Sequence, residues 1–582
     1  MTENTEWKAI GTVVGNASPI EFTFILKSFK SRIGDIVAVR MEVPDENYSG
    51  QRVVCAWGRI TLIDRFNPFF PFEAAQELSN EGISLRDTIL SDSRDQLQAT
   101  VKVLGATNED DHTNIFPLTY PIQPAADVFY PPAVAIKALL GTGIPGHTPI
   151  KIGTLIARTD VEVSISADRV ASRHMAILAM TGGGKTVATR RILRELIEIG
   201  YPILIIDPHG DYIGFWEKMG LFPNTDVKLF FPHLRMTEQN SDIIEDLINK
   251  MTEGLTPPQR DYLGRLLAND DYRREAGASV LGYLQILIQI AQHNRTAAVN
   301  SRRSGRNNSA EGGANANPND SVGASTINAV RRTLAQIEKK LNQMELTNKK
   351  LRDTMKHLKF EILPDPEGFP QGIIRPNQVS ILYLGGYDHL TQSTIVSILL
   401  ENLFEHRASM SERIPPFQTV IEEAHNFIPS GSEGRAETPS LPTIRRVITE
   451  GRKFGTGLIL VTQRPSRVDE TILSQCNSFL VLRLVNPRDQ SFVRSVMENL
   501  DDTDARMLPG FGPGQGLISG QSVRFPLLVK IKFDEDLSHS ALGNENFIQQ
   551  AKEWSAPSDT EAKGKAAQAT QRLMQAPRRG RR

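Results

Sequence analysis

Short apolar runs broken by turn residues fill the first part of the chain. Ile10–Gly15, Glu21–Phe24, Ile36–Val39, Gln51–Ala56 and Thr100–Gly105 are separated by Gly, Pro, Asn and Asp. That spacing predicts a small β-barrel over residues 1–160, read as an assembly or docking module without catalysis. From about residue 161 the pattern changes. Met175–Leu178, Ile203–Ile206, Val379–Leu384, Phe417–Ile421, Leu458–Val461 and Ser478–Leu484 are nearly continuous apolar runs that end in polar turns. Runs of that kind predict parallel strands buried on both faces. Helical segments such as Val187–Ile199, Thr391–Glu405 and Leu441–Phe454 lie between them. The fold class is therefore α/β, with the core expected over residues 161–235 and 360–535.

Residues 236–359 read as a helical insertion. Ser241–Ile248 and Thr256–Arg260 open with capping signals, and Ala329–Leu358 is long, charged and amphipathic. Within it, residues 293–326 are rich in Asn, Ser, Gly and Ala and are expected to be flexible. Arg295, Arg302, Arg303 and Arg306 precede any acid there, so the stretch is either a solvated linker or a DNA-contacting arm. Residues 536–582 are expected to form a C-terminal helix and a basic disordered tail ending in Pro577–Arg582.

Length and composition narrow this picture only a little. At 582 residues the chain exceeds what one core serves, which suggests three or four domains. A formal net charge of −1 means that nucleic-acid contact must come from local patches. Two cysteines far apart, Cys55 and Cys476, exclude a disulfide framework and a Cys-rich zinc site. No signal-peptide core or membrane-spanning run is legible, so the expectation is a cytoplasmic protein without a membrane partner.

The chemistry concentrates where the apolar runs end. Met175–Leu178 leads into Ala179-Met180-Thr181-Gly182-Gly183-Gly184-Lys185-Thr186-Val187 and then a helix. Strand, glycine turn, Lys-Thr and helix together predict a phosphate loop. Residues 181–187 would hold ATP, with Lys185 as the charge on the outer phosphates and the Thr186 hydroxyl on Mg²⁺. The pattern asks for glycine where Ala179 stands, a mild departure. Glu422 and Glu423 end the Phe417–Ile421 run. Glu422 is expected to hold Mg²⁺ and Glu423 to polarise the attacking water. Gln463, after Leu458–Val461, is placed either as a γ-phosphate sensor or as a strand-end cap. Asp207, His209 and Asp211 either touch Mg²⁺, water or DNA, or shape a tight turn.

In this order the motifs resemble the HerA family of hexameric DNA translocases, related to FtsK and the conjugative ATPases. The carrying residues are Arg173-His174 with the phosphate loop, Asp207–Asp211, Glu422–His425, Glu450–Gly455 and Thr462–Pro465. The resemblance spans residues 161–529. It implies a RecA-like ATPase core, a β-barrel at the ring interface, ATP and Mg²⁺ as cofactors, and a homohexamer that moves or unwinds double-stranded DNA. It also implies that Arg452 enters a neighbouring subunit's ATP site, and that Arg173 acts on the nucleotide from near the phosphate loop. The family's partners include NurA-like nucleases in DNA end processing, and sirtuin-like NAD-consuming or nuclease effectors in anti-phage defence. Two rivals stand beside the motor: a nucleotide-dependent ring scaffold that activates an effector, and a membrane-associated conjugative ATPase.

Overall fold

The computed structural model describes residues 6–537 except 28–30, 45–49, 67–75, 77–79, 81–95, 142–147, 233–240, 253–254, 278, 305–321, 355–360, 364–369, 410–413, 432–437 and 498–499, and also residue 552. Six antiparallel strands come first: β1 (Lys8–Val14), β2 (Glu21–Leu26), β3 (Ile36–Pro44), β4 (Gln51–Phe66), β5 (Gln96–Asn108) and β6 (Asp127–Tyr130). They close into a barrel in the order β1-β2-β5-β4-β3-β6. Alternate side chains turn inward, as in β2, where Phe22, Phe24 and Leu26 are buried and their neighbours are not. Closure leaves no unpaired edge to satisfy.

A second sheet carries twelve strands: β7 (Pro149–Leu155), β8 (Glu162–Ser166), β9 (Met175–Leu178), β10 (Ile203–Asp207), β11 (Asp226–Pro232), β12 (Glu361–Leu363), β13 (Gln378–Tyr383), β14 (Phe417–Ile421), β15 (Thr456–Thr462), β16 (Ser478–Leu482), β17 (Gln515–Gly520) and β18 (Leu527–Ile531). Their order is β12-β11-β13-β10-β14-β15-β9-β16-β17-β18-β7-β8. Every pairing from β12 to β16 is parallel. The strands after β16 pair antiparallel and form a meander on that edge.

The apolar runs are continuous because both faces are covered. On β10, Leu204 and Ile206 belong to one buried cluster while Ile203 and Ile205 belong to the other. The first face packs under α5 (His389–Ala408), α6 (Ser440–Phe454) and the helical insertion; the second packs under α1 (Ala167–Ser172) and α2 (Lys185–Glu198). The insertion is built on two long helices, α3 (Val280–Ser304) and α4 (Ala324–Thr354). Tyr283, Leu287, Val330 and Leu334 from these helices join the core of the first face.

Two expectations need correcting. Strand β7 pairs with β18 and β8, so residues 149–155 belong to the large sheet and not to the barrel. Residues 293–304 are the end of α3, with Ala298 buried in the core of the first face, so the polar stretch begins inside a helix. Small alanines suffice where two helices approach closely, which is why the composition looks like linker. Residues 305–321 and the tail after Leu537, apart from residue 552, lie outside the described residues, and with them the arm and C-terminal helix. Among the described residues, no helix is long and apolar enough to cross a membrane.

Candidate ATP site

Parallel strands deliver their carboxyl ends to one side of the sheet, and the site is assembled there. The loop after β9 turns through Gly182 and Gly184, both at positive φ (77° and 97°). At Gly184 any Cβ would lie 2.8 Å from the backbone nitrogen of Gly514, so only glycine fits. Gly514 N–H donates to the Gly183 carbonyl across 3.1 Å, tying the loop to the connection before β17. Ala179 is buried in the chain's own core. Its methyl would stand 3.3 Å from a Cβ at Gly183. The departure from glycine is thus accommodated inside one subunit and needs no ring. Lys185 and Thr186 begin α2.

β14 stands two strands from β9, with β15 between them. Its end presents Glu422 and Glu423 to the loop. Lys185 Nζ lies 2.6 Å from Glu422 Oε1 and 2.8 Å from Glu423 Oε1. Glu423 is in the left-handed region (φ 50°), one of three non-glycine residues there among the described residues. Such a conformation costs energy and persists where the surroundings impose it. Here it turns consecutive side chains to the same lysine. The Thr181 hydroxyl donates to Gln463 Oε1, so Gln463, just past the end of the intervening strand, meets the loop directly.

Two residues complete the carboxylate pair. The Tyr212 hydroxyl donates to Glu422 Oε2 across 2.6 Å. His425 Nδ1 lies 3.2 Å from Glu423 Oε2 and 3.1 Å from Thr462 Oγ1. Burial raises the Glu422 carboxyl to about 7, against the pull of Lys185 and Tyr212. Burial works the same way on Glu423, but His425 and Lys185 outweigh it and bring that carboxyl down to about 2. Glu422 is wholly buried, and Glu423, slightly less so, has His425 beside it as well as Lys185. Burial disfavours the charge on Lys185, yet the two glutamates prevail and raise its pKa.

Asp207 resolves toward the turn. Its carboxylate accepts from the backbone N–H groups of His209, Gly210, Asp211 and Tyr212 at 2.7–3.2 Å. It is wholly buried. It shapes the loop that delivers Tyr212 to Glu422. Tyr212 was not singled out in the sequence; its only signal is its place directly after Asp207-Pro208-His209-Gly210-Asp211.

Residues 181, 182 and 184–187, with Glu423 and Gln463, line a common cleft of about 620 Å³, within the range of small-molecule sites. Gly183 sits in the same turn. Arg173 and Arg452 do not reach this cleft. Arg173 precedes β9 and Arg452 precedes β15, so both lie at the amino ends of their strands, with the loop at the carboxyl ends. They are close enough for the charge of Arg452 to lower the pKa of Arg173, after burial. Within one chain, four residues of buried strand, about 13 Å, separate Arg173 from the phosphate loop.

Thr186 and Glu422 offer a hydroxyl and a carboxylate, the hard oxygen donors that Mg²⁺ takes. Among the described residues no group of three or more His, Cys, Asp or Glu could hold a metal. That donor set suits an ion that completes its shell with water and substrate phosphates.

A family model described as the central domain of helicase HerA matches residues 150–403. The DNA double-strand break repair helicase HerA of Pyrococcus furiosus is 26% identical over 563 residues, covering 90% of this chain and 92% of that protein. A probable helicase, MJ1565, of Methanocaldococcus jannaschii is 26% identical over 557 residues, covering 93% and 94%. Among solved structures, VirB4 of Thermoanaerobacter pseudethanolicus matches with a TM-score of 0.42 and 14% identity, over 69% of this chain and 100% of that one. The bacterial conjugative coupling protein TrwBdeltaN70 gives a TM-score of 0.42 and 14% identity over 69% and 93%. A P-loop core with this ordered set of side chains, matched over most of its length by the helicases of Pyrococcus furiosus and Methanocaldococcus jannaschii, is an enzyme of the ATPase/helicase class, and the chain is similar to the HerA helicase family.

Proposed function

We infer that this chain hydrolyses ATP with Mg²⁺ to move along or unwind duplex DNA as a hexameric ring, in the processing of DNA ends. The observation that carries the reading is the convergence of Lys185 on Glu422 and Glu423 at the mouth of a glycine-shaped loop. Lys185 would exchange these carboxylates for phosphate oxygens. Thr186 and Glu422 would hold Mg²⁺, which when bound neutralises charge on the transferred phosphoryl group. Withdrawal of Lys185 removes one of the cations that lower Glu423, leaving its carboxylate a better base toward water. Gln463, already bonded to Thr181, is placed to register the change at the phosphates.

The position of Arg173 and Arg452, far from their own loop and near each other, supports a ring in which they serve the neighbouring subunit's site. Relatives named as double-strand break repair helicases support a role at DNA ends. A nuclease or a sirtuin-like NAD-consuming effector would dock on the barrel tier. Contacts to DNA would fall mainly on phosphates and so weaken with salt.

One observation favours a second reading, a ring scaffold that activates its effector with little movement along DNA. The barrel is joined to the phosphate loop through the chain. Arg59 on β4 pairs with Asp504 at 2.7 Å on α7 (Asp502–Met507), and the segment that follows reaches Gly514 and Gly183. ATP hydrolysis by wild type and Lys185→Ala, with and without duplex DNA, tests both. Loss of turnover in Lys185→Ala and stimulation of wild type by duplex support the motor. A wild-type rate in Lys185→Ala would overturn the site. Absence of stimulation would favour the scaffold.

A further inference from the structure

The ring of Phe533 lies in the same cleft as the phosphate loop, and it is 57% exposed. The backbone that carries it is held on both sides. Before it, Ile531 is buried and its N–H donates to the Gly514 carbonyl at 2.8 Å. Lys532 N–H donates to the Ile152 carbonyl at 2.9 Å. After it, Asp534 pairs with Arg191 at 3.0 Å and Asp536 with Arg194 at 2.8 Å, both on α2. Leu537 is buried, and its carbonyl accepts from Arg190 Nη1 at 3.0 Å.

Arg190 joins this strap to the other wall of the cleft. Its Nε donates to the Asp211 carbonyl at 3.1 Å, and Asp211 lines the cleft as well. Arg190 stands about one turn beyond Thr186 on α2, so the strap is anchored to the helix that begins at the phosphates. The backbone on both sides of Phe533 is thus held, and the residue lines a cleft whose other end is the glycine-shaped loop.

We propose that Phe533 is the platform on which the nucleobase of the bound nucleotide stacks. The proposal rests on the ATP-site reading and extends it from the phosphates to the base. An aromatic face accepts any base, because every base presents a π-face and stacking does not read its edges. The platform therefore strengthens binding of nucleotides as a class, while discrimination among bases is left to other groups. The strap also makes the platform dependent on α2: loss of Arg191 or Arg194 would loosen it without touching the phosphate loop.

The test is nucleotide binding and turnover by the full chain. Phe533→Ala is expected to raise the KM for ATP and for GTP by about tenfold, the range known for removal of a base-stacking aromatic, with kcat at saturation near wild type. Phe533→Tyr is expected to stay near wild type, which separates stacking from damage to the fold. In Phe533→Trp, Mg-ADP is expected to quench the added fluorescence and Mg-tripolyphosphate, which has no base, is not. An unchanged KM in Phe533→Ala, or equal quenching by tripolyphosphate, would overturn the platform. If ATP binding is lost in Lys185→Ala but unaffected in Phe533→Ala, the platform fails and the phosphate site stands. ATP binding that needs neither residue would overturn the site reading itself.

Discussion

The phenol of Tyr212 donates to Oε2 of Glu422 across 2.6 Å, between two side chains that are both closed to solvent. Residues 210 positions apart meet because β10 and β14 are neighbours in the sheet and the Asp207 turn folds back over their ends. The contact fixes one oxygen of Glu422 and leaves the other turned to Lys185.

Removal of that phenol is expected to act on the metal. Tyr212→Phe keeps the buried ring and deletes only the donor. Loss of a group that orients a metal ligand typically costs 10- to 100-fold in metal affinity. The expected result is a Mg²⁺ requirement raised by at least about tenfold, with Mg-free nucleotide binding near wild type. Titration of ATPase rate against Mg²⁺ measures it; an unaltered Mg²⁺ dependence would show that Glu422 needs no such support.

Arg452 is expected to work only across a subunit boundary. Arg452→Ala should lose about 10³-fold or more in turnover, the usual worth of such a finger. Glu423→Gln should be inactive as well. Mixed rings of the two variants should recover part of the activity, since a site can then combine an intact Glu423 with an intact Arg452. Rings that stay inactive at every mixing ratio would argue against the trans role.

The barrel clasp should show strong coupling. Arg59 Nη2 lies 2.7 Å from both oxygens of Asp504, and both side chains are buried. Its Nε and Nη1 are buried without partners among the described residues. A single break of a buried pair costs about 3–5 kcal/mol, because it strands the remaining charge, whereas apolar replacement of both is often nearly neutral. Arg59→Met and Asp504→Leu are each expected to lower the melting temperature markedly, and the double variant to regain most of the loss. Additive losses in a calorimetric cycle would mean that the pair does not act as a unit.

His174 should make stability depend on pH. Burial, with the Arg452 charge adding to it, lowers its pKa from 6.5 to about 4. Its Nδ1 accepts from Leu458 N–H at 3.2 Å, which requires a neutral ring. A group depressed on folding contributes stability above its unfolded pKa and loses it as pH falls through the folded one. Wild type is thus expected to lose up to about 3 kcal/mol between pH 6.5 and 4 from this residue. His174→Gln should begin less stable at pH 7.5 and show a flatter decline by thermal melting. Parallel curves would assign the acid sensitivity elsewhere.

The sequence by itself determined the sheet and the two ends of the phosphate chemistry. Short unbroken apolar runs such as Ile203–Ile206, closed by polar turns, read as strands covered on both faces, and a glycine turn between such a strand and a helix reads as a loop that presents backbone N–H groups. Periodicity and spacing are local, so they reach the chain in any order. Local pattern could not give strand order. That order decides that Gln463 lies between the loop and the carboxylates, that Tyr212 finds Glu422, and that Arg173, adjacent in sequence to the loop strand, stands at its far end. A four-residue strand reverses which side of the molecule its flanks occupy, and no composition records that reversal. The same holds for Phe533: in sequence it is one aromatic after a strand, and only the tertiary contacts of its neighbours, among them the ion pairs to α2, bring it to the cleft of the phosphate loop.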